Sequence, residues 1–246
     1  NTKNKNFSII HLNEKIYDSN DYAHLNKNIT QINIGKRLCF NDVLFYTNTL
    51  KEKTYIIISN LDIHFDDTIT NLYKLKPKEA ICLLRRDLLP NKKSKVNLSV
   101  CDSQDAWMFR SDQIEPHMIF NFPLGKLGCD NHISYLFRIL GFKVINCPQQ
   151  IYGIHHHVFP TIHNEKETVK PPYLLIHPHC PTRGTAESIF DDDIFIYQYV
   201  KETFPFYIPR IGGIENNFSV NTLQQKEFDK LDILSNISFG TERFTR

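Results

Sequence analysis

No stretch of this 246-residue chain approaches the roughly 18 to 20 consecutive apolar residues of a membrane-crossing helix, and no basic, apolar leader opens it. An excess of charge of one sign is missing too. With 29 Lys and Arg against 27 Asp and Glu the net charge is +2, so no bulk field draws the chain to nucleic acid or to an acidic membrane surface. The basic run Lys92-Lys93-Ser94-Lys95 is short and reads as a solvated loop. Cys39, Cys82, Cys101, Cys129, Cys147 and Cys180 are widely spaced, with no C-x-x-C pair, which leaves out a disulfide scaffold and fits reduced thiols in a cytosol-like compartment. There is no internal repeat, no low-complexity tract and no G-x-G-x-x-G spacing around Gly212-Gly213.

What is present is the composition of a soluble globular protein, 41% hydrophobic and 23% charged. The length fits one ordinary domain with an extension, or two small ones. Because the first residue is Asn1 rather than Met, we expect a piece of a longer protein.

The most informative stretch is Tyr55-Ile-Ile-Ile-Ser-Asn-Leu-Asp-Ile-His-Phe-Asp-Asp67, an apolar run that ends in oxygen-bearing side chains. The run predicts a strand buried on both faces, as parallel strands of α/β proteins are. Ligands of open α/β sheets gather at strand carboxyl ends, where Asn60 and Asp62 stand. Around it an α/β alternation is visible. Residues 7–12 predict a short strand, and Asp66 or Asp67 caps a helix with apolar positions Ile69, Leu72, Tyr73 and Leu75. Residues 80–84 predict another strand and residues 90–97 a loop. Asp130 reads as the N-cap of a helix carrying Ile133, Leu136, Phe137 and Leu140 and closed by Gly141. Strands are expected at 142–147, before Pro148, and at 151–154. Past residue 165 the texture changes at Lys170-Pro171-Pro172, so a domain over 1–165 is expected, and over 166–246 a linker and C-terminal extension that read as the start of a second domain.

Asp62 follows a buried strand and precedes the helix start, and a hard divalent cation such as Mg²⁺ or Mn²⁺ prefers oxygen ligands of this kind. In the triplet His155-His156-His157, strand alternation sends His155 and His157 to one side and His156 to the other. Neutral imidazole suits Mn²⁺ or Zn²⁺, so Asp62 with His155 and His157 forms a candidate split metal site. Surface or packing histidines are the alternative.

Five blocks, Asn60-Leu-Asp-Ile-His-Phe-Asp66, Leu84-Arg-Arg-Asp87, Ser103-Gln-Asp-Ala-Trp-Met-Phe109, Phe122-Pro-Leu-Gly-Lys-Leu-Gly-Cys-Asp-Asn131 and His155-His-His157, together resemble GT-A glycosyltransferases of large DNA viruses and microbes. The resemblance covers about residues 5–160. It implies an α/β, Rossmann-like GT-A mixed sheet flanked by helices, whose first strand lies ahead of Phe7. It further implies transfer from a nucleotide-sugar donor, a UDP-sugar, to a glycan or glycoprotein acceptor with Mn²⁺ or Mg²⁺, in the cytoplasm, that of the host where the enzyme is viral.

By that resemblance Asp62 takes the metal-binding place of the Asp-x-Asp motif, and His155 or His157 closes the metal shell. Asn60, Arg85, Trp107 and Asn131 join Asp62 in nucleotide-sugar binding, while Asp130 is the general base, with Asp105 as the second catalytic candidate. Simpler roles stand beside these: an ion pair of Arg85 with Asp87, a core position for Trp107, and helix capping for Asp130. The chain departs from the family at Asn60, where an acid is usual, and at Val158-Phe159-Pro160, where relatives carry small hydroxyl residues and an arginine. A metal-dependent phosphoesterase and a non-catalytic sugar-binding module are the competing functions.

Overall fold

The computed structural model describes residues 7–17, 29–50, 53–114, 120–156 and 168–179, and the backbone of two strands at 196–200 and 221–224. Strands β1 (Ile9–Asn13) and β2 (Ile29–Asn33) pair in parallel, and helix α1 (Phe40–Asn48) follows. The Asp42 carboxylate accepts the Cys39 N–H at 2.9 Å, which satisfies a donor that the first turn leaves open. Phe40, Val43, Leu44 and Thr47 are the buried face of α1, and the Phe40 ring stacks on Phe122 with centroids 5.4 Å apart.

The chain continues through β3 (Tyr55–Ser59), β4 (Ile63–Phe65), a 3-10 helix (Asp67–Lys74), β5 (Glu79–Leu83), β6 (Arg86–Leu88), β7 (Ser94–Lys95) and β8 (Ala106–Arg110). Helix α2 (Cys129–Ile139), β9 (Lys143–Ile145), β10 (Gly153–His155), β11 (Tyr173–Ile176), β12 (Ile196–Val200) and β13 (Asn221–Gln224) complete it. The main sheet has the order β3-β8-β5-β9, with β8 antiparallel to both neighbours and β9 parallel to β5. A second sheet runs β4-β10-β6-β7, with β10 antiparallel to β4 and parallel to β6. The architecture is α/β with mixed sheets.

The core lies where α2 covers the main sheet. Every residue of β5 is buried, and Phe137 of α2 packs against Phe109 and Phe142 with centroids 5.3 and 5.4 Å apart. Residues 168–179, beyond the expected boundary at 165, join this core through Val169, Leu174 and Ile176. Asn146, fully buried, ties the parts together: its side chain accepts the Leu84 N–H at 2.9 Å and donates to the Ile176 carbonyl at 3.0 Å.

Several sequence expectations are corrected. β3 pairs with antiparallel β8 alone, and only Ile58 in it is buried, because it ends the strand order among the described residues. The strand buried throughout is β5. Asp66 does cap, accepting the Thr68 N–H at 3.0 Å, but the helix is 3-10 and Tyr73 is 58% exposed. The shorter 3-10 repeat turns Tyr73 away from the stripe formed by Ile69, Leu72 and Leu75. The loop at 90–97 contains β7, which pairs with β6. Asp130 is not an N-cap. Gly128 holds that place at φ +78, where an added Cβ would lie 2.9 Å from the Val169 carbonyl oxygen, so Asp130 falls in the first turn instead. In the block at 103–109, residues 103–105 are loop and β8 begins at Ala106, so Trp107, expected to bind the nucleotide-sugar, lies on a buried strand and is 3% exposed.

Candidate active site

The two sheets meet in a way that builds a site. β3 and β5 of the main sheet each end in a short connection that becomes a strand of the small sheet, β4 after Asn60-Leu61-Asp62 and β6 after Leu84-Arg85. β10 lies between those two strands, with His155 opposite Ile63 on one side and Asp87 on the other. Residues far apart in sequence therefore converge at the carboxyl ends of β3 and β5.

At this seam His155 Nε2 lies 2.8 Å from Asp62 Oδ2, and His155 Nδ1 lies 3.7 Å from Asp87 Oδ1. The imidazole is buried, whereas the Asp62 side chain is 42% exposed. At 3.7 Å the Asp87 carboxylate is near enough to the ring for an electrostatic contact but beyond hydrogen-bond reach. Two ligands on neighbouring positions of an ion with bonds of about 2.1 Å stand about 3 Å apart, and Asp62 and His155 fit that spacing. Among the described residues no group of three or more His, Cys, Asp or Glu is arranged to hold a metal. An ion here would have these two protein ligands and take its other oxygens from water or phosphate. His157 and Val158-Phe159-Pro160 lie outside the described residues.

His156 points elsewhere. It is exposed, its backbone N–H donates to the Asp62 carbonyl at 2.9 Å, and its ring contacts His64.

Next to the seam is a network centred on Asp105, which is 5% exposed. Its Oδ1 accepts from the Asn60 amide at 3.0 Å and from Arg85 Nη1 at 3.2 Å, while its backbone N–H donates to Leu83 at 3.0 Å. Arg85 also pairs with Asp87 at 3.1 Å. Burial opposes the guanidinium charge, but Asp105 and Asp87 outweigh it and hold the charged form more firmly than usual. The chain of contacts Asn60–Asp105–Arg85–Asp87–His155–Asp62 links the ends of β3, β5 and β10.

The loop at Cys101–Asp105 is fastened in turn to the first turn of α2. Asp130 Oδ2 accepts the Gln104 N–H at 3.3 Å, and the Asn131 amide donates to the Asp102 carbonyl at 3.1 Å. Burial pushes the Asp130 carboxyl up to about 7; the N–H groups of Asn131 and Gln104 offset this in part, and the charges of Asp105 and Asp102 add to it. Asp105 Oδ2 and Asn131 Oδ1 are buried acceptors without a hydrogen-bond donor. Each such atom typically costs about 1–3 kcal/mol, a cost that hydroxyl donors of a ligand would remove.

The sequence reading did not single out Asn146 or the Asp87–His155 contact. Asn146 lies one residue past β9 and directly before Cys147-Pro148, the stop it did see. Trp107 belongs to the core, since its ring is buried on β8. The thiols of Cys82, Cys129 and Cys147 are pushed by burial to about 12 and offer no nucleophile at neutral pH. No helix among the described residues is long and apolar enough to cross a membrane. No family model matches the chain, and neither a curated protein nor a solved structure does.

Proposed function

We propose that this chain is a GT-A-type glycosyltransferase that moves a sugar from a nucleoside-diphosphate donor, a UDP-sugar, to a glycan or protein-linked acceptor with Mn²⁺ or Mg²⁺. The observation that carries this reading is the 2.8 Å approach of Asp62 and His155, 93 residues apart, beside the carboxyl end of a main-sheet strand. A divalent ion held there would neutralise charge growing on the leaving diphosphate.

The chain's own residues have separable tasks. Asp62 and His155 would hold the ion, with the Asp87 carboxylate on the other side of the imidazole. Arg85, fixed by two carboxylates, orients the loop between β5 and β6. Asp130, with a carboxyl near 7, is poised at neutral pH to take the proton of an acceptor hydroxyl. Asp105 and Asn131 supply acceptors that sugar hydroxyls can satisfy. The mixed sheets and the strand-end position of these groups are in keeping with the GT-A resemblance.

The test is thermal unfolding with UDP. A ligand bound only by the native state stabilises it by about 2.7 kcal/mol at a hundredfold excess over Kd. UDP should raise Tm in Mn²⁺ and much less in chelator, and Asp62→Ala should remove the difference. Equal stabilisation in chelator would overturn the metal-linked reading.

A further inference from the structure

His64 and His156 are not used by the site described above. His64 stands on β4 and His156 directly follows β10, its antiparallel neighbour, where the register sets Ile154 opposite His64 and so brings His156 to the diagonal position on the same face. His155 points to the other face, toward Asp62 and Asp87. The two rings meet with centroids 4.5 Å apart at 52°, and His156 Nε2 faces His64 Nδ1 in hydrogen-bonding contact. His156 is exposed and His64 half-buried, so the pair is open to solvent.

We propose that His64 and His156 form a second, nitrogen-only metal site, a cross-strand clip for a borderline transition cation such as Ni²⁺, Cu²⁺ or Zn²⁺. The facing nitrogens already converge on one point. Two imidazoles on neighbouring positions of an ion with metal–nitrogen bonds of about 2.1 Å have their nitrogens about 3 Å apart, which a small rotation of the exposed His156 ring supplies. Each neutral ring then keeps its proton on the far nitrogen, so both facing nitrogens present lone pairs and no net proton is released. Imidazole favours these cations over Mg²⁺, the reverse of an oxygen-rich site.

An ion held this way joins β4 to β10, the strands that bring Asp62 and His155 together. It thereby braces the neighbouring site from the opposite face. The clip does not depend on the transferase reading, since neither histidine contacts Asp62, Asp105 or Asp130 through its ring.

The experiment is a Ni²⁺ titration followed by Tm and by NMR of the histidine ring nitrogens, with no nucleotide present. His64 is the deciding position because it lies outside the 155–157 run, which can bind Ni²⁺ by itself. Ni²⁺ should raise Tm in the wild type and broaden the His64 and His156 ring signals together. His64→Gln and His156→Gln should each weaken apparent Ni²⁺ affinity by about tenfold or more, equivalent to about 1.4 kcal/mol. Asp62→Ala and His155→Ala should leave the Ni²⁺ broadening of the His64 and His156 ring signals intact. If His64→Gln binds Ni²⁺ as the wild type does, or if His155→Ala removes binding, the clip is refuted. Should a glutamine variant fold poorly, unbroadened His64 signals in the wild type would refute it equally.

Discussion

The Asn60 side-chain amide donates to the Asp105 carboxylate at 3.0 Å, and the same two residues are joined through their backbones, Asn60 N–H to Asp105 carbonyl, also at 3.0 Å. Position 60 is where the resembled family carries an acid. In this chain an acid would set its carboxylate against that of the buried Asp105, so the amide is matched to its neighbour.

Asn60→Asp should therefore destabilise the fold by about 1–3 kcal/mol at pH 8, since a donor is lost and a like charge gained. At pH 5 the deficit should shrink as the carboxylate pair takes up a shared proton. Urea midpoints at the two pH values check this, and adding Asp105→Asn to Asn60→Asp should recover part of the loss. A variant as stable as wild type at pH 8 would mean that the pair is not coupled.

Asp130 sets a pH dependence of two kinds. As a base it acts only when ionised, so transfer should rise with pH through about 7, and Asp130→Asn should lower the rate by about 10² to 10⁴. For stability the sign is the opposite. The folded state holds the proton more tightly than the unfolded chain, so the contribution present below the unfolded value near 4 is lost as pH rises through about 7. Asparagine removes that loss, and its Tm relative to wild type should climb between pH 4 and pH 8. A constant difference would place the carboxyl in water.

Trp107 separates core from site. Its ring is buried on β8, and its indole N–H is buried without a partner. Trp107→Ala should cost about 3–5 kcal/mol. Trp107→Phe should cost less, since it removes the unpaired N–H together with part of the ring. Donor affinity at equal folded fraction should not change in Trp107→Phe. A lost affinity with intact Tm would return Trp107 to the ligand.

Asn146→Leu should strand the Leu84 N–H and the Ile176 carbonyl, at about 1–3 kcal/mol for each buried group left unpaired. Because Leu84 leads into Arg85, donor binding should weaken along with stability. Chemical denaturation and UDP titration of the variant measure both.

The sequence by itself determined the local elements whose side chains repeat with a regular period. Residues 9–13, 79–83 and 143–145 form strands where apolar runs predicted them, and Ile133, Leu136 and Phe137 with Gly141 marked α2. Helix α1 was legible too, in the spacing of Phe40, Val43, Leu44 and Thr47, but went unrecognised because no strong capping residue stands at Cys39. Burial was not legible. The run at 55–58 is as apolar as that at 80–84, yet only pairing on both sides of β5 makes the latter the buried strand. Neither was the role of each polar residue, because hydrogen bonds across 45 or 93 residues, from Asn60 to Asp105 or from Asp62 to His155, leave no periodic trace in the chain. Tertiary structure decided these, by threading β10 between the strands that continue from β3 and β5.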